Sequence, residues 1–150
     1  MENYLRPIEI LLVEDNEADI VLTKNALKTL KLQNTLSVCR DGEEGLEFLY
    51  KRGKYADAVT PDLVLMDLNM PKVSGMEVLE QIKNDPKLSM IPVIILSTSS
   101  AEKDVISSYQ NHANSYIKKP IDFMKFIEVI QEIENYWFSI VKTPSTEYIS

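Results

Sequence analysis

Four places along the chain carry side chains that chemistry can use, and each closes a short apolar run: Glu14-Asp15, Asp67, Ser97-Thr98 and Lys118-Lys119-Pro120. Three carboxylates brought together repel one another and raise one another's pKa unless a cation neutralises them. An all-oxygen donor set with room left for water suits Mg²⁺ better than a softer metal, so a magnesium site is expected at Glu14, Asp15 and Asp67. A lysine and a hydroxyl facing the same carboxylate can hold the remaining oxygens of a phosphoryl group. Asp67 then reads as a nucleophile attacking in line, with Mg²⁺ and Lys119 neutralising the equatorial oxygens. The product of such a step is an acyl phosphate.

Taken singly, each of these residues has an ordinary explanation. An acid after a strand is most often a helix cap. Ser97 alone is a polar strand end, and Tyr116 alone is a half-buried ring with a solvated hydroxyl. Paired surface lysines such as Lys118 and Lys119 are common, and His112 reads as solvated among Asn111 and Asn114. It is the combination that points to chemistry.

The elements that must hold these residues follow from the hydrophobic pattern. Ile8 to Val13 and Asp62 to Met66 are aliphatic runs that read as buried strands, Thr35 to Cys39 is strand-like, and Pro92 to Leu96 and the short Ser115 to Ile117 read as strands. Between them lie helical patterns: Glu17 to Lys31 with Ile20, Thr23, Leu27 and Leu30 inward, Glu43 to Lys51, Gly75 to the stop at Asp85-Pro86, and a weaker one from Ala101 to about Gln110. Asp122 reads as the N-cap of a last helix reaching about Trp137. Its core stripe is expected to be Phe123, Phe126, Ile127, Ile130 and Trp137, with Val129, Tyr136 and Ile140 beside it. Strands that are continuously apolar rather than alternating argue for a parallel sheet covered on both faces. The fold class is therefore α/β, a doubly wound five-stranded parallel sheet flanked by five helices. In such sheets function gathers outside the carboxyl ends of the strands, where the four polar places stand.

With 150 residues, 45% of them hydrophobic and 26% charged, the chain suits one globular domain. Residues 1–141 are assigned to it, and 142–150 to a tail; the polar stretch from Lys51 to Pro61 reads as loop. Neither a bilayer-spanning run nor a secretory signal is visible, which favours the cytoplasm and no membrane partner. A formal charge of -7 with scattered Lys and Arg disfavours nucleic acid. The lone Cys39 sits in an apolar run and reads as a buried small hydrophobe.

LLVEDN at 11–16, MDLNMP at 66–71, Gly75, ILSTSS at 95–100 and YIKKP at 116–120 together resemble the receiver domain of two-component response regulators, a flavodoxin-like fold. The resemblance implies that Glu14, Asp15, Asp67 and the backbone carbonyl of Asn69 hold Mg²⁺, that Asp67 accepts the phosphoryl group from a sensor histidine kinase, and that Lys119 pairs with it. It also implies that Ser97 and Tyr116 form a switch pair, the hydroxyl turning to the phosphoryl oxygen and the ring moving inward behind it. A kinase docking surface is implied on the first helix near Ala18 to Leu22, including Asp19 and Ile20. The opening that runs into LLVEDN, the segment Lys51 to Pro61, STSSAEKD at 97–104 and the end Ile133-Glu-Asn-Tyr-Trp-Phe138 are similar to small regulators that partner phytochrome-type sensor kinases. That narrower resemblance implies a homodimer through the last helix. Thr98 stands where many receivers carry alanine, which bears on how readily water reaches the phosphoryl group.

Competing functions fit less well. A haloacid-dehalogenase phosphatase also forms an aspartyl phosphate but needs a second acid two residues on, and this chain has Asn69 there. A nucleotide hydrolase needs a glycine-rich phosphate loop, and the four glycines form no G-x-x-x-x-G-K. A DNA-binding output domain has no counterpart in the short tail, so output through protein partners is expected.

Overall fold

Every aliphatic run forms a strand, and the polar residue at its end marks where pairing stops. The computed structural model describes residues 7–31, 33–68, 70–97, 107, 110, 113, 115–119 and 122–135. The strands are β1 (Ile8–Val13), β2 (Asn34–Cys39), β3 (Leu63–Asp67), β4 (Val93–Ser97) and β5 (Ser115–Lys118), all parallel, in the order β2-β1-β3-β4-β5. The helices are α1 (Glu17–Leu27), α2 (Gly42–Leu49), α3 (Gly75–Asn84) and α4 (residues 123–135). Ser107 and Gln110 are helical too, but most of the helix expected from Ala101 to Gln110 lies outside the described residues.

The pleat sorts the side chains into two cores. Leu11, Val13, Val64, Met66, Val93 and Ile95 face α2 and α3, whereas Ile10, Leu12, Leu65, Ile94 and Leu96 face α1 and α4. Burial on both sides explains why the central strands β3 and β4 are apolar up to their last residue, whereas the edge strands β2 and β5 are mostly half-buried and carry Asn34, Thr35, Ser37 and Ser115, so the expectation of continuously apolar strands holds only inside the sheet. Cys39 is fully buried in the first core, and burial pushes its thiol pKa up to about 12. No described helix is long and apolar enough to cross a membrane.

Each of α1 to α4 starts at a side-chain cap. Asn16 accepts from the Asp19 amide at 3.0 Å, Asp41 from Glu44 at 2.8 Å, and Ser74 forms a reciprocal capping box with Glu77. Asp122 accepts from the Met124 and Lys125 amides at 3.1 and 3.2 Å, as its expected capping role requires.

Three local expectations need correction. α1 stops at Leu27 rather than Lys31, because Thr29 Oγ1 donates to the Ala26 carbonyl at 2.7 Å and Asn34 Nδ2 to that of Leu27 at 3.2 Å, satisfying the helix end. The stretch from Lys51 to Pro61 is not all loop: Gly53–Tyr55 is a 3₁₀ turn whose Tyr55 ring packs 5.1 Å from Phe48 and whose hydroxyl donates to Glu44. Phe123 is not in the core stripe of α4. It is the first residue of the helix and 38% exposed, so the buried stripe begins at Phe126 and continues to Ile130. Trp137, Tyr136 and Ile140 lie outside the described residues.

Candidate functional site

Strand register brings the polar strand ends level with one another. Val13 pairs with Met66, Asp67 with Leu96 and Ser97 with Lys118, so the residues that follow Val13 and Met66 stand side by side at one edge of the sheet. The chain leaves β1 for β2 on one side and reaches β3 on the other, which opens a crevice above β1 and β3 at the point where ligands of such sheets bind.

Glu14, Asp15 and Asp67 meet in that crevice with carboxylate oxygens within 4.8 Å of one another, Glu14 and Asp67 buried and Asp15 exposed. Glu14 is anchored: its amide donates to the Cys39 carbonyl at 2.9 Å, and its Oε2 accepts from the Asn16 amide at 3.1 Å. Burial raises its pKa to about 7 and the Asp67 charge adds to this, against the opposing hydrogen bonds from Lys119 and Asn16. Such a crowded, hard, all-oxygen set fits a divalent cation, which would offset the mutual repulsion of the three carboxylates.

Lys119, itself buried, is carried in by β5. Its amide donates to the Ser97 carbonyl at 2.7 Å, tying the ends of β5 and β4 together. Its Nζ lies 2.8 Å from Glu14 Oε1, 2.8 Å from Asp19 Oδ2 and 3.7 Å from Asp67 Oδ2. Burial opposes its charge, but the Asp19 and Glu14 carboxylates and the charge of Asp67 outweigh it and hold the pKa above the usual lysine value.

The two residues of the expected switch pair are placed differently. Ser97 is buried at the carboxyl end of β4, in line with the other strand ends. Tyr116 is half-buried, pairs with Ile95 and packs on the core shared with α2 and α3, so it stands a step back from the acids. Asn69, Thr98 and Pro120 lie outside the described residues.

Asp19, expected only on the docking surface, forms an ion pair with Lys119 and is thereby part of the site. The signal was available in the cap, since an Asn16 N-cap puts Asp19 in the first turn, above the acids that precede it. Ile20 is fully buried in the core that also holds Leu12 and Phe126, so it does not stand on the surface expected for docking, whereas Val21 is 47% exposed.

A sheet of this order with acids at β1 and β3 and a lysine after β5 defines a phosphoacceptor class of α/β domain. The chain matches the response regulator receiver domain family over residues 10–131 and belongs to it, a phosphoacceptor switch of two-component signalling. Among its relatives is response regulator Rcp1 of Synechocystis, 42% identical over 139 residues that cover 93% of this chain and 95% of Rcp1. The crystal structure of the Mn²⁺-bound form of Rcp1 superposes with a TM-score of 0.78 at 44% identity, covering 87% of this chain and 94% of that one. The phosphorylated cyanobacterial phytochrome response regulator RcpA gives 0.80 at 44% identity, covering 90% and 96%.

Proposed function

We propose that Asp67 is the phosphoacceptor of this receiver and that its phosphoryl group comes from a sensor histidine kinase of the phytochrome type. The observation that carries this reading is the meeting of Glu14, Asp15 and Asp67 within 4.8 Å, with Lys119 Nζ 3.7 Å from Asp67. An oxygen of the Asp67 carboxylate attacks phosphorus, the P–N bond to the kinase histidine breaks, and the imidazole nitrogen keeps the bonding pair and takes up a proton. Lys119 neutralises the growing charge on the transferred group, and Ser97 offers its hydroxyl to another oxygen. Glu14, Asp15, Asp67 and the Asn69 backbone carbonyl would hold Mg²⁺, whose charge supports the same oxygens. The site has no acid two residues after Asp67, so turnover is slow and the acyl phosphate serves as a signal.

The names of the relatives support the choice of kinase: RcpA is a phytochrome response regulator, and further matches at 40% and 41% identity are bacteriophytochrome response regulators. The kinase docks on the exposed side of α1, on Ala18 and Val21, with half-buried Leu22 beside them. Ser97 and Tyr116 pass the change to the surface around β5 and α4. That surface serves a homodimer and a downstream protein in the cytoplasm; Phe123 and Met124, 38% and 65% exposed, add apolar area to it. Light scattering that finds only monomer, phosphorylated or not, removes the dimer from this reading.

Hydroxylamine provides the test of the acceptor. After phosphorylation by a small-molecule donor, cleavage of the label by hydroxylamine and its mapping to the peptide holding Asp67 are expected. A hydroxylamine-resistant label on Ser97 would overturn the assignment.

A further inference from the structure

We propose that, granted a divalent ion on Glu14, Asp15 and Asp67, Gly42 is a positioning residue for that site: its missing Cβ sets where the loop after Asp67 rests. Gly42 opens α2 with no positive φ, a conformation open to any residue, so its use here is one of space. A Cβ at this position would lie 2.0 Å from the Val73 carbonyl oxygen and 2.8 Å from its carbon, far inside the 3.4 Å at which ordinary contact begins. Both obstructing atoms are backbone, so no side-chain rotation relieves the clash.

The loop that Gly42 receives is held at its other end by the acceptor itself. Gly75 donates its amide to the Leu68 carbonyl at 2.9 Å, and a Cβ on Gly75 would fall 2.2 Å from the Asp67 carbonyl oxygen. Residues 70–75 are thus pressed between the first turn of α2 and the backbone of Asp67. One turn further along α2, a Cβ on Gly45 would meet the Val13 methyls at 3.2 Å, one residue before Glu14. The same short helix therefore abuts β1 just before its acids and the loop that follows the third.

A charge contact reinforces the steric one. Lys72 Nζ lies 3.6 Å from Asp41 Oδ2 and 3.8 Å from Glu43 Oε1, and Lys72 holds a φ of +69° while making them. Asp41 is the α2 cap, so the loop is drawn onto the helix beside Gly42. A methyl at position 42 must push Val73 away, and that push reaches Asp67 through the tight Gly75 contact. Release of Lys72 loosens the same loop without adding bulk.

Calorimetric titration with Mn²⁺ and the thermal midpoint of the metal-free protein, on wild type, Gly42→Ala and Lys72→Gly, test this. Gly42→Ala is expected to bind Mn²⁺ about tenfold more weakly, the scale on which supporting residues act on a metal site. Lys72→Gly relieves the positive φ, so its midpoint is expected to hold or rise while Mn²⁺ binding weakens about twofold to fivefold, the worth of an exposed ion pair. A residue that only stabilised the fold would not separate the two readouts. Wild type that binds no Mn²⁺ overturns the metal site and with it the role of Gly42. Wild-type affinity in both variants overturns the positioning role and leaves the metal site standing. If Gly42→Ala does not fold, the affinity of Lys72→Gly decides.

Discussion

Lys119 Nζ donates to Glu14 Oε1 at 2.8 Å and stands 3.7 Å from Asp67 Oδ2. The lysine proposed to serve a phosphoryl group on Asp67 is thus held first by the acid that follows β1, with Asp19 as a second anchor at 2.8 Å. Two buried opposite charges in contact are costly to separate, and removal of one leaves the other stranded. Lys119 is accordingly placed within reach of Asp67 before any phosphoryl group arrives, with its charge assured by its neighbours.

Lys119→Met is expected to slow formation of the acyl phosphate on the order of a hundredfold, as loss of one charge-stabilising donor does elsewhere. Mn²⁺ binding should survive the change, because the lysine is not a ligand. Phosphorylation kinetics and metal titration on one preparation check this. Undiminished phosphorylation would remove the lysine from the reaction.

The pH dependence of metal binding follows from Glu14. Its folded pKa of about 7 lies above the ordinary 4.5, so a proton competes with the cation over that range. Metal affinity should rise with pH through about 7 and then level off. In the metal-free protein the sign for stability is the reverse. The folded form holds the proton more tightly, so this contribution is fully present below 4.5 and is lost as pH rises through about 7. Denaturant titrations across that window, with Glu14→Gln as the form that cannot titrate, measure it. A wild-type profile identical to that of Glu14→Gln would contradict it.

Neighbouring residues of α1 should divide into a structural and an interactive set. Ile20 is fully buried, and Ile20→Ala should cost about 2–5 kcal/mol of stability. Val21→Ala should change stability within about 0.5 kcal/mol yet slow transfer from the kinase, since that side chain is 47% exposed. Chemical denaturation and phosphotransfer assays on the two variants separate the roles. Equal transfer rates for wild type and Val21→Ala would place the docking face elsewhere.

Cys39 should be inert while the protein is folded. Its thiol is fully buried and burial holds its pKa near 12, so almost no thiolate exists at neutral pH. Alkylation is expected to track global unfolding, and fast labelling of the native protein would be the contrary result.

The inner strands were legible because two-sided burial leaves an apolar run that only the last residue closes, as in Leu63–Asp67 and Val93–Ser97. The acids were legible because a parallel sheet aligns its strand ends, so chemistry-bearing residues far apart in the chain share one crevice. Less legible was anything decided by side chains reaching across elements. Asp19 looked like a surface residue of an amphipathic helix until β5 brought Lys119 over it. α1 looked longer than it is, because its hydrophobic period continues to Leu30 after Thr29 and Asn34 have already satisfied its last carbonyls. Phe123 fits the stripe of α4 by spacing, yet its place at the helix start leaves it beyond the edge of the core. Gly42 carried no sequence signal of its own; only the close approach of Val73 shows why a side chain is missing there.

The most direct measurement is the intact mass of the protein after incubation with acetyl phosphate, with and without Mg²⁺, for wild type and Asp67→Asn. A labile gain of one phosphoryl group that requires both the metal and Asp67 is expected. A gain of the same size in Asp67→Asn, or in wild type stripped of divalent cations, would contradict it.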